Sequence, residues 1–202
     1  MKTLKIFFIG IAIIFSGMVH AQKIKLVSGN MSFIKGQKVL KVVYNYDDMK
    51  VGKMDEDKYV STKVKEYNQD IPGKGDNWQK AWINDRTSRF QPKFELLFNK
   101  YLKEKGVSIH TEAADAKYTL LLKTTMTEPG FNVYVSSRPA MINTEVIFTE
   151  TANPEKVLAK ITITGSPGNT MGNDYDTGNR IQEAYAKCGK ALAKYLIKTA
   201  LK

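Results

Sequence analysis

Two stretches of alternating residues constrain this fold more than any other feature of the sequence. Across 141–150, Thr144, Val146 and Phe148 fall on one face and Glu145, Ile147 and Thr149 on the other. Across 157–164, Val157, Ala159, Ile161 and Ile163 recur with the same period of two, which is the period of a half-buried strand. Asn153, Pro154 and Glu155 read as a turn between them, so the two strands are expected to pair antiparallel. A helix is expected over 179–201. There Ile181, Tyr185, Cys188, Leu192 and Tyr195 form a stripe, widened by Ala184, Leu196 and Ile197. Lys187, Lys190, Lys194 and Lys198 fall on the opposite side, so this helix should lie on a sheet and turn its lysines to water.

The first half reads differently. Residues 25–28 and 31–34 flank Gly29-Asn30, a pairing typical of two-residue hairpins, and predict a small hairpin over 22–37. The β-branched and aromatic run 39–46 predicts a central strand, ended by Asp47, Asp48 and Gly52. A helix is expected over 55–69 with Asp55 as N-cap and Val60, Val64 and Tyr67 on its apolar face. The loop 71–75 breaks it, Asp76 caps a second helical region over 77–88, and Pro92 interrupts. A third helix then runs to Lys105, burying Phe94, Leu97, Phe98, Tyr101 and Leu102, with Gly106 as its stop. A short strand follows at 107–109 and a long one over 117–126, with Leu120, Leu121 and Leu122 at its centre. Strands and helices segregated in this way predict an α+β fold: a mixed, largely antiparallel sheet with helices packed on one face, in one domain.

The N-terminus predicts export. Lys2 and Lys5 precede an apolar run from Ile6 to Phe15, and Val19-His20-Ala21 supplies a site of the kind a signal peptidase reads. That run is about half the roughly 20 residues a spanning helix needs. The expected division is therefore a signal peptide over 1–21 and a single domain over 22–202, placed in the periplasm or secreted and not membrane-spanning. Loss of Lys2 and Lys5 lowers the formal charge from +11 to +9. The balance is basic, but arginine, which carries most bidentate phosphate and base recognition, is confined to Arg86, Arg89, Arg138 and Arg180. Lysines are scattered rather than striped, so no nucleic-acid partner is expected. With Cys188 as the lone thiol, no internal disulfide can support the core.

Few residues carry recognisable chemistry. His110 lies in a short strand beside no nucleophile motif, and Cys188 falls on the apolar stripe of the last helix. The loop 165–178 gathers Asn173, Asp174 and Asp176, but without calcium-loop spacing; turn and capping chemistry explain it, and no metal or cofactor is expected. Trp78, Trp82, Arg86 and Arg89 follow one side of a helix and form the candidate ligand-binding set, with Asp85 adjacent. Tryptophan faces beside guanidinium groups could stack on a sugar ring or cradle an acidic polymer. Carboxylates for a hydrolase would have to come from Asp47, Asp48, Asp85, Asp174 and Asp176.

The segment 114–120 (Ala-Asp-Ala-Lys-Tyr-Thr-Leu), the strand pair 143–150 and 157–164, and the helix 180–196 resemble exported bacterial proteins of unknown function. More loosely, they are similar to the α/β domain of curli-secretion-type envelope lipoproteins and to the TolB N-terminal domain. The resemblance implies an envelope accessory module acting through protein contacts, with no catalytic residues to carry over. This chain departs from the lipoproteins in having no lipidation cysteine near residue 21. The leading expectation is a non-enzymatic exported protein that binds an envelope protein or an anionic polymer. A periplasmic binding module for an acidic glycan or small molecule, and a carboxylate-based hydrolase, are the alternatives.

Overall fold

The computed structural model describes residues 22–133, 135–169 and 176–202. The expected signal peptide, and Asn173 and Asp174 of the loop 165–178, lie outside the described residues.

The chain begins with β1 (Lys23–Gly29), a 3-10 turn (Ser32–Ile34), β2 (Val39–Asn45) and the two-residue strands β3 (Lys50–Val51) and β4 (Met54–Asp55). Helices α1 (Glu56–Asp70), α2 (Lys74–Asp85) and α3 (Gln91–Leu102) follow, with a π turn (Arg86–Phe90) joining the last two. After a 3-10 turn come β5 (Ser108–His110), β6 (Tyr118–Glu128), β7 (Phe131–Val133) and β8 (Ser136–Arg138). β9 (Ala140–Glu150), β10 (Asn153–Gly168) and α4 (Thr177–Thr199) complete it.

The main sheet runs β1-β10-β9-β6-β2-β5, with β3 alongside β6 and β4 paired to β3; β7 and β8 form a separate ribbon. β1, β10, β9 and β6 are antiparallel neighbours, whereas β2 lies parallel to both β6 and β5. The α+β architecture is a mixed sheet with its helices on one face. Alternation decides which face: Leu120, Leu122, Ile142, Val146, Phe148, Ala159, Ile161 and Ile163 are buried beneath the helices. Glu145 and Lys160 of the other face stay half-exposed and pair at 2.8 Å. The α4 stripe meets the covered face through Tyr185, whose hydroxyl is 2.7 Å from that of Thr124, and through Cys188, which lies against Thr144.

Several expectations need correction. No hairpin forms over 22–37. β1 pairs with β10 instead, and the Asn30 side chain accepts from the Ser32 amide at 3.0 Å, turning the chain into the 3-10 segment that buries Met31 and Ile34. Those two residues are three apart, the period of a 3-10 turn and not of a strand. The second helix starts earlier than expected, so Gly75 and Asp76 lie inside α2. Pro92 does not interrupt. It sits in the first turn of α3, and the backbone absorbs its missing N–H by widening into the π turn, where the Gln91 amide bonds to the Arg86 carbonyl. Register shifts around Val157 throw that side chain into solvent, 54% exposed, rather than inwards.

Candidate functional site

α1 and α2 lie back to back because Gly75 has no Cβ; an added one would run into the Val64 carbonyl. That approach gathers Tyr59, Tyr67, Trp78 and Trp82. Trp78 and Trp82 stack with centroids 5.6 Å apart and planes at 28°. Tyr67 meets Trp78 edge-on at 5.7 Å, and Tyr59 meets Trp82 at 5.5 Å. Trp82 is buried and donates its indole N–H to Glu56 at 2.6 Å, so it acts chiefly as a core residue with a satisfied polar tip. Trp78 keeps part of its surface in solvent.

The two arginines diverge. Arg86 pairs with the same Glu56 carboxylate and lays its guanidinium over the Tyr46 ring, 4.5 Å from its centroid. Arg89 bridges Asp85 at 3.1 Å and Asp176 at 2.9 Å. Asp176 is also the N-cap of α4, accepting from the Asn179 amide at 3.3 Å. Gly178 allows this junction, since a Cβ there would strike Asp85 Oδ2 and Arg89 Nη1. Burial pushes the Asp85 carboxyl above its ordinary value against the Arg89 charge, with Asp176 adding to the rise. Burial also raises Asp176, but hydrogen bonds from Arg89 and from the Asn179 and Gly178 amides outweigh it and hold that carboxyl low.

A cleft of about 360 Å³ opens between these groups, lined by Tyr67, Trp78, Trp82, Asp85, Arg89 and Asp176 among others. Of the four residues singled out in the sequence, Trp78, Trp82 and Arg89 therefore share one cleft. Arg86 faces different grooves, on the side of Glu56 and Ile83. The carboxylates divide in the same way: Asp47 and Asp48 line a separate groove with Asp55 and Asp57, while Asp85 and Asp176 converge on Arg89. His110 is exposed at the end of edge strand β5. Among the described residues, no group of three or more His, Cys, Asp or Glu side chains could hold a metal ion. None of their helices is long and apolar enough to cross a membrane.

Burial pushes the Cys188 thiol up to about 11, against weaker hydrogen bonds from Thr144 and Ser166. Almost no thiolate exists at neutral pH, and reagent has no access to it. Native protein is expected to leave a thiol-reactive dye unconsumed for hours, while protein in denaturant consumes one equivalent; ready labelling of the native state would contradict this burial.

Two features were missed in the sequence. One is the β7–β8 ribbon, in which Phe131 pairs with Arg138 and Val133 with Ser136. The other is Arg180, 3% exposed within α4, which donates to the Pro129 carbonyl at 3.2 Å, the Gly130 carbonyl at 3.4 Å and the Thr177 hydroxyl at 3.0 Å. It thereby ties the base of the ribbon to the last helix. Alternation of Phe131, Val133 and Val135 was the available signal for the ribbon.

No protein-family model and no curated protein matches the chain. Among solved structures, the PelC dodecamer from Paraburkholderia phytofirmans aligns with 90% of this chain and 100% of its own, at 16% identity and a TM-score of 0.42. A point variant of that dodecamer aligns with 90% of this chain and 98% of its own, at 12% identity and a TM-score of 0.40. At these scores the likeness says nothing of function. The envelope resemblance rests on the residues quoted for it.

Proposed function

We propose that the chain is an exported, non-enzymatic envelope protein that docks onto a protein partner through the β7–β8 ribbon. The observation behind this reading is the apolar surface of the ribbon: Phe131 is 44%, Val133 53% and Val135 89% exposed. A two-stranded ribbon is marginal on its own, and apolar side chains displayed on one mark an interaction surface. The buried Arg180 anchor supports the reading, because a held ribbon loses less entropy on binding than a free loop. Arg138, exposed beside it and paired with Glu128 only at 3.8 Å, and the basic balance of the domain favour a partner whose apolar patch has an acidic rim.

The sheet edges are poorer docking sites. At β5, the Asn99 side chain accepts from the Ile109 amide at 2.8 Å and donates to its carbonyl at 3.0 Å, occupying that edge from within the fold. At β1, exposed Lys23 and Lys25 guard the edge against strand addition. A carboxylate-based hydrolase has one observation in its favour, the meeting of Asp85 and Asp176 in one cleft with their carboxyls displaced in opposite directions. Arg89 lies between the two and takes both as ion-pair partners, so the arrangement reads better as a binding surface than as an acid and base poised around water.

The test compares extracts of cells producing the full chain or its Phe131→Ser/Val133→Ser variant. Both positions are exposed, so folding stability should change by no more than about 1 kcal/mol, roughly 0.5 for each substitution. On gel filtration the unmodified protein is expected to elute in a complex with another protein, and the variant as a free monomer. Identical elution of two folded proteins would overturn the ribbon reading.

A further inference from the structure

We infer that the cleft between α1, α2 and the start of α4 binds a neutral sugar ring, with Trp78 as the stacking face and Asp85, Arg89 and Asp176 as hydroxyl partners. The spacing of tryptophans and arginines leaves a sugar ring, an acidic polymer and a small molecule open, and the charges in the cleft favour the neutral ring. Arg86 is turned away to Glu56 and Tyr46. Arg89 enters the cleft already matched by two carboxylates, so the charged groups there sum to a negative value. A uronate would meet Asp85 and Asp176 as like charges in a partly desolvated site. A neutral ring would not.

The remaining chemistry fits such a ring. Each sugar hydroxyl is both donor and acceptor. Carboxylate oxygens of Asp85 and Asp176 can accept from it, and guanidinium N–H groups of Arg89 can donate to it, in the charge-assisted class that is strongest. These three side chains are pre-set: Arg89 is held by both carboxylates, Asp85 by Arg89, and Asp176 by Arg89 and the α4 cap, and Gly178 removes the Cβ that would push Asp85 and Arg89 out of place. Beside them Trp78 is partly exposed, backed by Trp82 and steadied edge-on by Tyr67 and Tyr59. The apolar C–H face of a pyranose covers an aromatic ring of this kind while its rim of hydroxyls reaches the polar trio. A volume of about 360 Å³ lies near the lower end of ligand pockets, enough for a short sugar segment.

The chain contains two tryptophans and both line this cleft, so its intrinsic fluorescence is a local reporter. Purified protein would be titrated with cellobiose and N,N′-diacetylchitobiose as neutral probes and with digalacturonate as the acidic one. A saturable change is expected with at least one neutral disaccharide, with digalacturonate binding at least about tenfold more weakly. Trp78→Leu, which leaves Trp82 to report, and Arg89→Gln should each abolish the response while circular dichroism stays native; Trp78→Phe, retaining a ring, should keep part of it. Digalacturonate binding as tightly as the neutral probes, a response surviving in both folded loss-of-function variants, or no response to either neutral disaccharide would each overturn the assignment.

Discussion

Phe94→Ala is expected to lower the stability of the protein by about 3–5 kcal/mol, the range for emptying a fully buried aromatic site. Phe94 has no exposed surface, stacks on Phe98 at 6.0 Å and meets the Tyr44 ring edge-on at 6.1 Å. It stands where α3, α4 and β2 meet. The hole cannot close, because the neighbouring helices are fixed by backbone packing: a Cβ on Gly189 of α4 would strike the Phe94 carbonyl itself. For a chain of this size the loss corresponds to a fall in Tm of roughly 6–20 °C. Gly189→Ala perturbs the same contact from the other side and should cost about 1–3 kcal/mol, since carbonyl backbone has no rotamer by which to yield. Urea unfolding of the three proteins checks both. A Phe94→Ala variant within about 1 kcal/mol of the parent would show that α3 is not part of the central core.

Arg180→Met has the second-largest expected effect. Methionine can follow the aliphatic stem but donates nothing, so the Pro129 and Gly130 carbonyls and the Thr177 hydroxyl lose a partner in a part-buried setting. All three contacts are only part-buried, so each acceptor sits at the low end of the cost of an unmet group, about 1 kcal/mol, and the loss comes to roughly 3 kcal/mol. Its distribution distinguishes this variant from an ordinary core defect. Gly130 holds a φ of +63°, and a Cβ there would meet the Arg138 carbonyl, so the ribbon closes tightly on the point that Arg180 clasps. Amide hydrogen exchange over 131–138 should therefore accelerate beyond the global change, while β9 and β10 follow global stability alone. Uniform acceleration across the sheet would mean that Arg180 supports the core without positioning the ribbon.

How much of this was legible in the sequence follows from the range of the interactions. The β9–β10 pair and the α4 stripe are encoded by period, which each segment carries within itself, and both form, although the turn falls at 151–152, Asn153 to Glu155 belong to β10 and Val157 faces solvent. Pro92 and Gly29-Asn30 are local punctuation whose outcome depends on neighbours. A π turn absorbed the proline, and an Asn30 side-chain bond replaced the hairpin turn. The parallel placement of β2 beside β6 joins segments about eighty residues apart and leaves no local trace. The candidate site divides in the same manner. The tryptophan stripe was visible as helical spacing, whereas Glu56, 30 residues from Arg86, and Asp176, 87 residues from Arg89, decide what each arginine does. Without them the stripe reads equally as a sugar platform or as a cradle for an acidic polymer. The ribbon escaped notice because Pro129-Gly130 and Pro139 enclose it, and exposed alternation without a core resembles a loop.

Docking of a protein partner on the ribbon can be read from a photo-cross-linking residue placed at Val135 of the full chain in cells. Val157, apolar and 54% exposed on β10, serves as the control position. One dominant adduct with a different protein is expected from Val135, none from Val157, and loss of that adduct in the Arg180→Met background. No adduct from Val135, the same adducts from both positions, or adducts of the chain with itself alone would contradict docking on the ribbon.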